Sequence, residues 1–158
     1  MPGTLALLPE YTSLDDPIPE LRKAVDAAVA WLVAESPAAV RGATSAAKRI
    51  GAELLGADQG SGPGLLVVAN GTATRTEKAP GHFDERSAAF DSVIGAALRA
   101  GDTAALRDLD LELAADLWAP DVPALAGLAG FEIATSDIDY DDAPYGVQYW
   151  VARWETED

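Results

Sequence analysis

A chain of 158 residues has the length of one ordinary domain and can bury a core without disulfides or metals holding it together. It contains no cysteine, which excludes disulfides, a thiolate nucleophile and a cysteine metal site, and suits a reducing cytoplasm. The formal charge of −15 gives a surface that repels phosphate backbones and anionic lipid, so no nucleic-acid or membrane partner is expected, and ordinary solubility accounts for the acidity.

The opening MPGTLALLPEY holds a short apolar run with no basic flank, too short for a signal-peptide core or a membrane span. Its TLALL segment, residues 4 to 8, reads as a buried strand stopped by Pro9. From Ile18 the positions Leu21, Val25, Ala28, Val29 and Leu32 recur at helical spacing, which predicts an amphipathic helix ending near Ser36-Pro37. A second helical pattern runs from Ala38 to about Leu55, and GADQGSGPG then breaks it.

GLLVVAN, residues 64 to 70, is an apolar run between glycines and predicts a strand buried in a parallel sheet. After a polar loop, Asp84 is placed to cap a helix with the stripe Phe90, Val93, Ile94, Ala97 and Leu98, closed by Gly101. Asp102 and Asp110 are expected to cap two short helices that reach Trp118, and VPALAGLAG adds another. FEIATSDI and VQYWVARW read as strands around the turn YDDAPYG, an antiparallel C-terminal pair. The expectation is a single α/β domain over residues 1–158, with a mixed central sheet and helices on both faces.

The loop after residue 70 is the candidate cleft, because a buried strand that feeds a helix N-terminus brings backbone amides and polar side chains together. Asn70, Thr72, Thr74, Arg75, His82, Asp84 and Tyr145 are its candidate residues. The competing reading is a solvated loop whose threonines satisfy local backbone groups. The segment lacks the glycine spacing and Lys-Ser/Thr pair of a phosphate-binding loop, and the chain has no Gly-x-Ser-x-Gly elbow. His82 is the single histidine. As a general base it would need an orienting carboxylate, for which Asp84 and Glu85 are the neighbours. DIDYDDAPYGVQ imitates the start of a calcium loop, but Asp142 stands where glycine is needed and Gln148 where a bidentate glutamate is needed.

VANGTATRTEKAPGHFDERSAAFDSVIGAALRAGDTAALRDLD and DAPYGVQYWVARW resemble the class III extradiol ring-cleavage dioxygenase family, especially its short, alanine-rich actinobacterial members. The features that carry the likeness, over roughly Val67 to Trp154, are ANGTATR, APGHFDER, AFD, AGD and the closing DAPYGVQYWVA. In the family's enzymes the resemblance implies an Fe(II) held by two histidines and a carboxylate, opening a catechol-type ring with oxygen. A chain with one histidine cannot supply that triad. The family's histidine position falls at about Thr74 in this matching, and Leu7, Leu8 and Pro9 stand in the opening segment without one. No metal and no cofactor is therefore expected. The chain reads as a non-catalytic, cytoplasmic, dioxygenase-like protein whose cleft binds a small molecule or a protein partner, a second copy of the chain included. The alternatives are an enzyme using His82 with nearby carboxylates, or a non-catalytic member of a dioxygenase-type complex in which Trp118, Tyr145, Tyr149, Trp150 and Trp154 offer an aromatic contact surface.

Overall fold

The computed structural model describes residues 1–11 and 15–157. Helix α1, Pro19–Leu32, starts on the expected proline and buries Leu21, Val25 and Ala28. Ahead of it, Asp16 accepts from the Ile18 N–H at 3.0 Å and from Arg22 Nε at 2.7 Å, fixing the entry of the chain. Two expectations fail in this half of the molecule. Residues 4 to 8 are not a strand: Thr4 Oγ1 accepts from the Ala6 N–H and closes a one-turn 3₁₀ helix, Leu5–Leu7. Local capping by the hydroxyl and the stop at Pro9 win over a run too short to pair. Nor is 38 to 55 one helix. It divides into strand β1, Ala38–Gly42, and helix α2, Ser45–Leu55. Thr44 makes the break, since its Oγ1 accepts from the Ala47 N–H at 3.1 Å as an N-cap.

β1 pairs in parallel with strand β2, Gly64–Val68, from Ala38 opposite Gly64 to Gly42 opposite Val68. Helix α3, Ser87–Ala100, follows the polar loop and ends on Gly101, whose φ of 64° is the left-handed cap read from the sequence. The short helices α4, Thr103–Arg107, and α5, Leu111–Asp116, are capped by Asp102 and Asp110 as expected. Helix α6, Val122–Ala126, leads to strands β3, Ile133–Asp142, and β4, Tyr149–Thr156, which pair antiparallel.

The strands thus form two ladders, one parallel and one antiparallel. They are joined where the chain beyond β2 meets the start of β4. The Gly71 N–H donates to Gln148 O at 2.9 Å, the Gln148 N–H to Thr72 O at 3.0 Å, and the Arg75 N–H to Gly146 O at 3.1 Å. Alternate side chains then serve opposite faces of this mixed layer. Leu66, Val68, Tyr149 and Val151 join the core under α1 and α2. Ala69 and Trp150 join a second core with α3 and the short helices, against which Leu65, Val67 and Trp154 also pack. Helices therefore cover both faces, as the α/β reading anticipated. Each fully buried aliphatic, such as Ile50 or Ile94, contributes ~1.5–3 kcal/mol.

Candidate functional site

An aspartate on the apolar face of α3 organises the loop. Asp91 falls on the stripe with Ile94 and Leu98 and is 2% exposed, whereas Val93, expected on that stripe, is 53% exposed. The Asp91 carboxylate accepts from the Thr72 N–H at 2.9 Å, from Thr72 Oγ1 at 2.7 Å and from Arg75 at 3.2 Å. Burial raises its pKa above the ordinary value, and the bonds from Thr72 and Arg75 pull it part of the way back. Gly71 makes this approach possible, because a Cβ there would lie 2.6 Å from Asp91 Oδ1 and 2.7 Å from Trp150 Cη2.

From Asp91 a chain of polar contacts runs outward. Arg75 donates to Gln148 Oε1 at 2.9 Å, and Gln148 Nε2 donates to Asp141 Oδ1 at 2.7 Å. Asp141 also pairs with Arg99 of α3. These side chains surround a cavity of ≈330 Å³ that Gly95 and Trp150 also line. The absence of a Cβ at Gly95 leaves the indole edge accessible, since a Cβ would lie 3.3 Å from Trp150 Nε1. Among the described residues that indole N–H has no hydrogen-bond partner. The cavity offers N–H groups from Arg75, Arg99 and Trp150, while Asp91 and Asp141 hold the guanidiniums in place.

The sequence-predicted cleft residues are thereby scattered. Thr72 and Arg75 belong to the Asp91 network. Thr74 is buried but turned elsewhere, 2.6 Å from Ser87 Oγ and 3.3 Å from Leu117 O. Asn70 accepts from the Gly3 N–H and anchors the first residues. His82 is exposed, with φ 61°, at the loop tip. Asp84 is not its orienting partner and does not cap α3 by its side chain. Its carboxylate binds Arg86, through Nε at 3.0 Å and Nη2 at 2.8 Å, and the Arg86 N–H at 2.9 Å. The Arg86 guanidinium, with that backbone bond, lowers the Asp84 pKa to about 2. Tyr145 is exposed, sits at φ 57° and donates to Pro17 O at 3.2 Å.

The aspartates of the calcium-like run lie on β3. Asp139 binds Arg153 at 2.6 Å, and Asp141 is committed as described. Among the described residues no cluster of three or more histidine, cysteine, aspartate or glutamate side chains is arranged to hold a metal ion. No described helix is long and apolar enough to cross a membrane. The aromatic strand packs inward: Tyr149 and Trp150 are buried, and Trp154 Nε1 donates to Leu98 O at 3.0 Å and to Ser136 Oγ at 2.9 Å. The cavity residues Asp91, Arg99 and Gln148 were not read as a site from the sequence. An acid on an apolar helical stripe was the signal for the first, and nothing local marked the others. No family model, curated protein or solved structure matches the chain.

Proposed function

We propose that the chain is a cytoplasmic, non-catalytic protein resembling the extradiol dioxygenases, whose site between α3 and the start of β4 binds a small polar molecule. The observation that carries this reading is the convergence of Arg75, Arg99 and Trp150 on one ≈330 Å³ cavity. Guanidiniums held by carboxylates, beside an uncommitted indole N–H, suit a ligand with acceptor oxygens, such as a small carboxylate or a phenol. The stacking face of Trp150 favours a planar one. The single histidine speaks against ring opening by iron, because the two-histidine triad cannot be assembled within the chain. General-base catalysis by His82 has little support either, since Asp84 is committed to Arg86.

The test is calorimetric titration with acetate, benzoate and catechol, on the natural chain and on Arg99→Ala. Saturable binding of a planar ligand that weakens at least tenfold in the variant supports the reading. Absence of binding by all three probes removes it. Reconstitution with Fe(II) under anaerobic conditions tests the other half: one-to-one iron with oxygen uptake on catechol would make the chain an enzyme and overturn the non-catalytic proposal.

A further inference from the structure

Between the two ladders lies a second, larger cavity of ≈690 Å³. One wall is the edge of β2, with Leu65 and Val67, and the other is the edge of β4, with Ala152 and Trp154. The strands are joined at Gly71 and Gln148 and separate from there, leaving a slot in the plane of the sheet. The slot is roofed on both faces, by Trp31 and Leu32 of α1 and by Leu98 of α3 with Leu125 of α6.

Met1 occupies its narrow end in strand register. The Met1 nitrogen donates to Val67 O at 2.9 Å, and the Ala69 N–H donates to Met1 O at 2.9 Å. That pattern is a parallel bridge between Met1 and Val68. Because backbone groups of alternate residues point to alternate edges, the odd-numbered residues of β2 face the slot. The Leu65 and Val67 N–H groups are thereby turned into it, and neither has a hydrogen-bond partner among the described residues. On the opposite wall Gln148 faces Thr72, so Ala152 and Trp154 present their backbones by the same alternation. Burial lowers the Met1 amine to a pKa of about 5, the behaviour of a nitrogen placed where a peptide N–H belongs.

We propose that the slot is a strand-acceptor site that takes one extended apolar segment joined to the Met1 nitrogen and running parallel to β2. Its residues would lie opposite Val67, Leu66, Leu65 and Gly64, continuing the register that Met1 begins. The completed sheet would have the order β1, β2, inserted strand, β4, β3. Since helices cover both faces, the segment is apolar at successive positions and carries no charge, as a central parallel strand does. A lipid or compact ligand would leave the strand N–H groups unpaired, and an amphipathic helix is too wide for a gap between strand edges.

The experiment is to join a short Val/Ile-rich segment ahead of Met1 and follow amide exchange at Leu65 and Val67 by NMR, with thermal denaturation alongside. Exchange is expected to slow by about tenfold or more at both amides, with a higher midpoint. A control extension of the same length containing aspartate and proline should do neither. The proposal is overturned if the apolar extension leaves the two amides unprotected, if the control protects them equally, or if the extended chain does not fold. It is also overturned if the Val/Ile peptide added as a free molecule protects them while the joined form does not, which would assign the slot to another molecule's strand.

Discussion

Thr72 and Thr74 on one side, and His82 and Asp84 on the other, belong to a single loop and look alike in the sequence as polar groups near a helix. The first pair is buried to 0% and 2%, while His82 is exposed and Asp84 is tied to its own neighbour Arg86. The difference comes from what each half meets. The early half pairs with the backbone at Gln148 and Gly146 and is drawn against Asp91, whereas the tip is held by bonds within the loop, such as His82 N–H to Ala79 O at 3.0 Å. A polar side chain near a helix N-terminus is therefore part of the interior only where a second strand closes over it.

Removing the acid that organises the buried half should give the largest effect. Asp91→Ala would leave the Thr72 N–H and hydroxyl unsatisfied and Arg75 without its carboxylate partner. Loss of one partner of a buried pair costs ~3–5 kcal/mol. Urea denaturation should show a loss of that size, and a loss under about 1 kcal/mol would mean that the network contributes little. Gly71→Ala comes next. Its Cβ would sit 2.6 Å from Asp91 Oδ1 and 2.8 Å from Gln148 Cβ, so overpacking should cost ~1–3 kcal/mol in the same measurement. Alanine at exposed Glu85 provides the contrast, with a change within about 0.5 kcal/mol.

The class of the fold was legible because burial writes a period into the sequence, and α1, β2, α3 and the Asp102 and Asp110 caps all carried it. Two features were lost to local chemistry. Thr4 and Thr44 both end one pattern and begin another through a hydroxyl bond to a nearby N–H, so TLALL closed as a turn and the 38–55 pattern split at Thr44. The cavity was less legible still. Asp91, Arg99, Asp141 and Gln148 come from α3, β3 and the approach to β4, and only tertiary pairing brings them together. Thr72 and Arg75 were found because they stand next to a strand, whereas Asn70, Thr74, His82, Asp84 and Tyr145 share that neighbourhood in sequence and face elsewhere.

The pH dependence gives a finer contrast, because the two aspartates shift in opposite directions. For Asp91 burial raises the native pKa above its ordinary 3.8, so the folded state retains a proton that the unfolded chain has released. Its contribution is complete below 3.8 and is lost as pH rises through the native value. For Asp84 the Arg86 interaction lowers the native pKa to about 2, so its contribution is present above 3.8 and lost as pH falls toward 2. Denaturation midpoints from about pH 2 to about pH 6 should respond accordingly. Asp91→Asn should remove a fall in stability with rising pH, and Asp84→Asn should remove a smaller rise. Changes of the same sign would show that the two carboxylates share one environment.

The smallest expected effect is at His82, and it tests whether the tip belongs to any site. Its φ of 61° places an L residue in the left-handed region, which glycine occupies without the steric penalty. His82→Gly relieves that strain but gives the unfolded chain more conformations to lose, and the two terms oppose one another at ~0.5–1 kcal/mol each. With the imidazole exposed and unpartnered among the described residues, the net change in urea denaturation should lie within about 0.5 kcal/mol. Affinity for any ligand of the Arg75 cavity should also be unchanged. A loss well above 1 kcal/mol, or weakened binding, would mean that the imidazole contacts something that matters, joining the tip to the buried half and dissolving the distinction between them.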